Sequence, residues 1–128
     1  MGKTRSILIV EDDKEMQEIY KDMFKGKEAQ YKVSFESNAE EALNTIDKNI
    51  FDVIILDIIM TPMPGDSFFV HLRTVKKQQT PVLVVSVLDE DMLRNMKEIN
   101  HIQFLQKPIN EEELFKNIED VIQKFGTK

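Results

Sequence analysis

Four polar patches, three directly behind apolar runs and one behind a short mixed run, carry the residues of this sequence that could do chemistry. Glu11-Asp12 follows Ser6–Val10, Asp57 follows Val53–Leu56, Ser86 follows Val82–Val85, and Lys107 follows Gln103–Gln106. An aspartate at the end of an apolar run is ordinarily a turn former or a helix cap. Asp57 is different because apolar residues flank it on both sides, through Leu56 and Ile58-Ile59-Met60. Its charge therefore needs a compensating partner. Carboxylates crowded together raise one another's pKa unless a cation shares them. Oxygen-only ligands at a water-accessible rim suit magnesium, which keeps several waters and takes one or two carboxylates. A lysine and a hydroxyl in the same pocket add a cation and a donor opposite the metal. That arrangement suits a dianionic phosphoryl group. The Asp57 carboxylate would then be the nucleophile, and the product an acyl phosphate.

For these patches to meet, the elements that carry them must lie side by side. Ser6–Val10 reads as a first strand, stopped by Glu11-Asp12-Asp13. From Lys14 the residues Met16, Ile19, Tyr20, Met23 and Phe24 recur at helical spacing, and the helix ends near Gly26. Tyr31–Phe35 alternates and is a strand near the sheet edge. Ser37 with Glu40 forms a capping box for a helix that buries Ala39, Ala42, Leu43 and Ile46. Val53–Leu56 is a β-branched run with no polar break, which marks a strand covered on both faces. A loop to Gly65 leads to a helix with Phe68, Phe69, Leu72 and Val75 inward. Pro81 opens the strand that ends at Ser86. A weaker helix spans Asp89 to Ile99, with Met92, Leu93, Met96 and Ile99 on its inner side. Gln103–Gln106 is a short strand, and Asn110 with Glu113 caps a last helix striped by Leu114, Ile118, Val121, Ile122 and Phe125.

Five βα units in succession predict an α/β fold with a parallel sheet and helices on both faces. The flavodoxin-like doubly wound (βα)5 order is 2-1-3-4-5, and ligands bind outside the carboxyl ends of its strands. In that order strands 1, 3, 4 and 5 are contiguous, and each ends in one of the four polar patches.

Composition narrows the function classes. The 128 residues make one domain, residues 1–128, with 41% hydrophobic and 31% charged residues. Net charge is −6 with no basic block longer than Lys76-Lys77, which argues against direct nucleic-acid binding or an anionic membrane partner. Cysteine is absent and only His71 and His101 are present, so thiolate and multi-histidine metal sites are excluded. No apolar run reaches the roughly 20 residues of a membrane span, and no signal peptide is visible, so no membrane insertion and a cytoplasmic location are expected. Met1–Ser6 matches the loose N-myristoylation pattern, read as a chance match because a strand follows at once.

The ordered set Ile7-Leu-Ile-Val-Glu-Asp12, Asp52-Val-Ile-Ile-Leu-Asp57, Gly65, Ser86 and Phe104-Leu-Gln-Lys-Pro108 resembles the receiver domain of two-component response regulators over essentially the whole chain. The resemblance implies that Asp57 accepts a phosphoryl group from a phosphohistidine on a sensor histidine kinase or histidine phosphotransfer protein. It implies a magnesium ion held by Asp12 and Asp57, by Glu11 through water, and by the Ile59 carbonyl. Lys107 would contact the phosphoryl oxygens and Asp57, and the Lys107–Pro108 bond would be cis. Ser86 would bond the phosphoryl group after transfer, shifting Phe104 and the Asp89–Ile99 helix to signal a downstream output protein or domain. Ile59 and Leu88 would gate hydrolysis of the phosphoryl group. Such a domain is not an enzyme in the usual sense, since it catalyses only its own phosphorylation and dephosphorylation. Thr61, the prolines Pro62 and Pro64, Val87 and Asn100-His101 depart from the family's usual residues, and Phe104 lacks a tyrosine hydroxyl.

Each residue has a plainer reading by itself: Asp13 as a helix cap beneath a solvated acidic turn, Ser86 as a turn residue, Lys107 as a surface lysine. Their joint placement favours the chemical reading. His71 is a helix-face residue and His101 a loop residue, and Ile109 is either an exposed contact or a buried one. A haloacid-dehalogenase-type phosphatase needs Asp-x-Asp-x-Thr, and Asp57-Ile-Ile-Met-Thr61 lacks the second acid. A flavodoxin's phosphate would be repelled by Glu11-Asp12-Asp13. A degenerate receiver would have lost an acid or the lysine. The remaining alternative is a receiver belonging to a longer regulator or hybrid kinase with its own output domain.

Overall fold

The computed structural model describes residues 4–57, 65–76, 78–87 and 101–126, with the side chains of 65, 66 and 69 left aside. In chain order the described elements are β1 (Arg5–Val10), α1 (Lys14–Phe24), β2 (Tyr31–Glu36), α2 (Ala39–Lys48), β3 (Val53–Leu56), α3 (Gly65–Thr74), β4 (Val82–Ser86), β5 (Ile102–Gln106) and α4 (Glu111–Phe125). The expected helix at 89–99 and the side chain of Phe69 lie outside the described residues. The five strands form one sheet in the order β2-β1-β3-β4-β5, and every pair is parallel. The expected flavodoxin-like order is the observed one.

Strand alternation sends side chains to two separate cores. Leu8, Val10, Ile54, Leu56, Val82 and Val84 pack with α2 and α3, joined by the half-buried Phe104. Ile7, Ile9, Val53, Ile55, Leu83 and Val85 pack with α1 and α4. Both faces of β3 are therefore covered, which is why its sequence runs apolar without a polar break. Register fixes the functional end of the sheet. Val10 pairs with Leu56, Leu56 with Val84, and Ser86 with Gln106.

Local signals set the helix ends. The Asp13 side chain accepts the Glu15 N–H to start α1, and Gly26, at φ 84°, takes the left-handed turn after it. Asn110 caps α4 by accepting the Glu113 N–H at 2.8 Å, as expected. The cap of α2 is Asn38 and not Ser37, with the Glu41 N–H donating to its side chain at 2.8 Å. Serine and asparagine are nearly equal as caps. Burial of Ala39, Ala42, Leu43 and Ile46 selects the frame. Two stripe residues also differ from expectation. Ile19 is 44% exposed, because α1 buries an arc through Met16, Tyr20, Met23 and Phe24 and leaves Ile19 at its margin. Val75 is 63% exposed, because α3 stops at Thr74 and the chain turns, with Val75 and Lys76 N–H both donating to the His71 carbonyl.

Arg73 fills a buried place that an apolar stripe would not predict. Its guanidinium donates to the carbonyls of Gln78 at 2.9 Å and His101 at 3.1 Å, tying the end of α3 to the entry of β5. Desolvation pushes it down to about 10. His101 sits in its loop at φ 65°, with Nδ1 3.0 Å from the Gln79 carbonyl oxygen and its ring against Phe125. Ile109 packs partly buried on the α1/α4 core, between its two readings.

These assignments separate core from surface within the apolar positions. Leu114→Ala, in α4 at 0% exposure, should cost about 2–5 kcal/mol by urea unfolding. Val75→Ala should stay within about 0.5 kcal/mol. Equal losses would show that α3 continues its buried stripe through Val75.

Candidate phosphoryl-acceptor site

The sheet register brings the first two patches together. Glu11 and Asp57 follow the paired residues Val10 and Leu56, and the Asp57 N–H donates to the Val10 carbonyl at 3.3 Å. The Glu11 N–H donates to the Glu36 carbonyl at the end of β2, at 3.0 Å. Lys107 comes from the far side of β4, where its N–H continues the ladder to the Ser86 carbonyl at 2.8 Å. The four-carbon stem of the lysine crosses β4. Its Nζ donates to Asp57 Oδ2 at 3.1 Å and to Glu11 Oε1 at 3.3 Å. Both carboxylates are buried, Glu11 at 1% and Asp57 at 8% exposure. One ammonium thus compensates two buried acids, which answers the charge problem posed by Asp57.

Electrostatics follow from this geometry. Burial pushes the Glu11 carboxyl up to about 7, with help from the Asp57 charge and against the pull of Lys107 and the Asp13 N–H. Burial alone would lower Lys107, but Glu11 and Asp57 together outweigh it and hold the ammonium above 10.5. Beneath them, Tyr20 is 1% exposed, and its phenol is raised by burial and then by the charges of Glu11 and Asp57. The acids therefore sit over the α1 side of the sheet.

Of the remaining expected residues, Ser86 is buried at the end of β4 and Asp12 is partly exposed at the rim. Phe104 is half-buried beside Val84 on the α2/α3 core. The Lys107–Pro108 bond is cis, as the resemblance implies. Ile59, Thr61, Pro62, Pro64 and Leu88 lie outside the described residues. Among the described residues, no three His, Cys, Asp or Glu side chains gather closely enough to hold one ion. Glu11 is instead committed to Lys107 and, through Oε2, to the Asp13 N–H at 3.3 Å. Two carboxylates, Asp12 and Asp57, are left as the candidate direct donors. That oxygen set fits magnesium, which takes one or two carboxylates and fills its remaining positions with water.

Gln17 joins the site without having been legible in the sequence. Its side-chain amide donates to the Glu11 carbonyl at 2.5 Å from the second turn of α1. A glutamine on a helix carries no signal for such a role, and only the position of the turn above it gives one.

A model of the response regulator receiver domain matches residues 7–119, and the chain belongs to that family. The transcriptional regulatory protein CpxR of Escherichia coli (strain K12) is 28% identical over 119 residues, which are 92% of this chain and 49% of CpxR. The chain spans about half the length of the curated relatives it matches. The chemotaxis response regulator CheY4 of Vibrio cholerae superposes with a TM-score of 0.81 at 28% identity, covering 92% of this chain and 98% of CheY4. The receiver domain of sensor histidine kinase PA1611 from Pseudomonas aeruginosa PAO1, solved with a magnesium ion coordinated in its active site cleft, shares the fold. Its TM-score is 0.80 at 20% identity, covering 94% of this chain and 98% of that domain. No helix among the described residues is long and apolar enough to cross a membrane.

The raised Glu11 carboxyl makes metal-free stability depend on pH. The folded chain holds this proton near pH 7, whereas the ordinary value is 4.5. The folded value is the higher one, so the stabilisation from protonation is complete below 4.5 and is lost as pH rises through about 7. With chelator present, the unfolding free energy of wild type relative to Glu11→Gln should fall between pH 5 and pH 8. A difference that does not vary with pH would place Glu11 in an ordinary, solvated setting.

Proposed function

We propose that this receiver domain accepts a phosphoryl group on Asp57 from a phosphohistidine of a sensor histidine kinase or histidine phosphotransfer protein. The observation that carries the reading is the Lys107 ammonium shared by the buried carboxylates of Asp57 and Glu11, at 3.1 and 3.3 Å. A carboxylate oxygen of Asp57 attacks phosphorus, and the phosphorus–nitrogen bond of the donor breaks. The electron pair returns to the donor imidazole, and an acyl phosphate forms on Asp57. Lys107 already sits where negative charge gathers, so it needs no reorganisation to face the phosphoryl oxygens.

Asp12 and Asp57 would hold magnesium directly, Glu11 through water, and the Ile59 carbonyl would complete the protein's share. Bound there, the ion would neutralise charge on the phosphoryl oxygens. Hydrolysis ends the loaded state: water attacks phosphorus, the bond to Asp57 breaks with its electron pair returning to the carboxylate, and inorganic phosphate leaves carrying the water's oxygen and protons. Ile59 and Leu88 are bulky and apolar, with no group to act as general base at the rim. The acyl phosphate should therefore be long-lived for its class. Loading would draw the Ser86 hydroxyl to the new oxygens and bias Phe104 between two packings, because that hydrogen bond exists only in the loaded state. The output is another protein or an attached domain, and the net charge of −6 is against this domain contacting nucleic acid directly. The domain acts only on itself, as phosphoacceptor and as its own phosphatase, in the cytoplasm.

Acetyl phosphate with magnesium should add one phosphoryl mass to the wild type and none to Asp57→Asn. A full shift retained by Asp57→Asn would move the acceptor elsewhere. For the lifetime, Ile59→Asn should shorten the decay of the loaded protein after donor removal. Equal decay of wild type and variant would remove Ile59 from the gate.

A further inference from the structure

The turn that carries Asp12 is held from below by α1. Two hydrogen bonds bracket Asp12 along the backbone. The peptide before it is held at the Glu11 carbonyl, which accepts from the Gln17 side-chain amide at 2.5 Å. The peptide after it is held at the Asp13 N–H, which donates to Glu11 Oε2 at 3.3 Å. Gln17 also binds the far end of the turn, since its own N–H donates to the Asp13 carbonyl at 3.0 Å. One residue of α1 thus grips the turn on both sides of Asp12. The opposite edge is fixed by the Glu11 N–H on the Glu36 carbonyl, 3.0 Å away.

With both flanking peptide planes tied, hydrogen bonds set the direction of the Asp12 Cα–Cβ bond. This matters because Asp12 is partly exposed and lies at the rim. A loose turn would carry its carboxylate with it, and ordering that backbone would cost affinity for any ion bound there. The Glu11 carbonyl has two lone pairs and sits above a partly buried stretch of α1, so an amide donor from the helix satisfies it where water has limited access.

We infer that Gln17 is a positioning residue for the acidic rim: by holding the Glu11 carbonyl it pre-orients Asp12 to ligate a divalent cation together with Asp57. The inference rests on the proposed magnesium-dependent reading of the site. Groups that orient ligands from behind typically contribute one to two orders of magnitude in metal affinity. The loss expected here is at the lower end, about tenfold, because Gln17 acts on a backbone and not on the ligand's own atoms.

The test titrates magnesium chloride into the isotopically labelled full chain, with amide and carbonyl resonances as the readout. Gln17→Met keeps the length and removes the donor. Before any metal is added it should shift the Glu11 carbonyl carbon and the Asp12 amide nitrogen, and it should then weaken magnesium binding about tenfold at a temperature where the fold is intact. Gln17→Glu keeps the shape, removes the donor and adds a negative charge that would by itself attract the ion. Weaker binding in this variant isolates lost positioning from charge. If both variants bind magnesium with the wild-type constant or tighter, Gln17 is only a structural residue and the inference is overturned. Asp12→Ala separates the two levels of the argument. Loss of magnesium binding in Asp12→Ala alongside unchanged binding in the Gln17 variants rejects only the positioning role. Wild-type binding in Asp12→Ala rejects the reading of the site and this role with it.

Discussion

Two carboxylates buried at the carboxyl end of a parallel sheet would each cost several kcal/mol to keep ionised without a partner. The Lys107 ammonium, 3.1 Å from Asp57 and 3.3 Å from Glu11, is the partner both share. Much of the architecture can be understood as the condition for that triad. Glu11 and Asp57 are neighbours only because β1 and β3 pair in parallel with Val10 opposite Leu56. Lys107 reaches them only because β5 is two strands from β3 and a four-carbon stem spans the intervening β4. A shorter cation at the same place would fall short, and a one-residue slip of β3 would turn Asp57 to the other face.

The triad also explains the division of labour between the cores. The α1/α4 core, with Ile9, Ile55, Leu83 and Val85 against Leu114 and Ile118, is closely packed beneath the acids and includes the buried phenol of Tyr20. It withholds solvent from Glu11 and so raises its pKa. The α2/α3 core receives Phe104, which is only half-buried there. The charged site and the side chain proposed to switch are thereby set on opposite faces of one sheet. At the rim, the bonds from the Lys107 N–H to Ser86 and from the Gln106 side chain to Val87 tie the ends of β4 and β5 together.

The sequence made the fold and the identity of the acids and the lysine legible, because both follow from periodicity and chain order. Apolar runs of a few residues, each ending in a polar residue, identify buried parallel strands, and the strand order then decides which ends meet. What could not be read depends on where a helix stops and which carbonyl a side chain finds. Ser37 and Asn38 both have a glutamate three residues on, at Glu40 and Glu41, so only packing chooses between them. Val75 has the spacing of the α3 stripe, but spacing does not reveal that the helix ends at Thr74. Arg73 and Gln17 bind backbone carbonyls from distant or turn segments, and no residue pattern encodes a bond to a carbonyl. Three acids near one another in the strand order suggested one cluster. In the fold, Lys107 joins Glu11 to Asp57, and Glu11 also accepts the Asp13 N–H, while Asp12 stays at the rim.

Charge balance gives the reason such a rim needs something beyond its own side chains. Glu11, Asp12 and Asp57 carry up to three negative charges against the single positive charge of Lys107. With all three ionised the sum is −2, and a dianionic phosphoryl donor approaching it would be repelled. The raised pKa of Glu11, about 7, is the protein's partial relief, since protonation there removes one of the charges. A divalent cation would remove both and bring the rim to neutrality before the phosphoryl group arrives, so on the proposed reading metal binding and phosphoryl acceptance are coupled through one electrostatic sum. One ammonium shared by Asp57 and Glu11 has too little positive charge to neutralise an incoming dianion as well. On that reading the lysine and the metal would divide the work: Lys107 compensates the buried acids and faces the phosphoryl oxygens, and the divalent ion would supply the remaining positive charge.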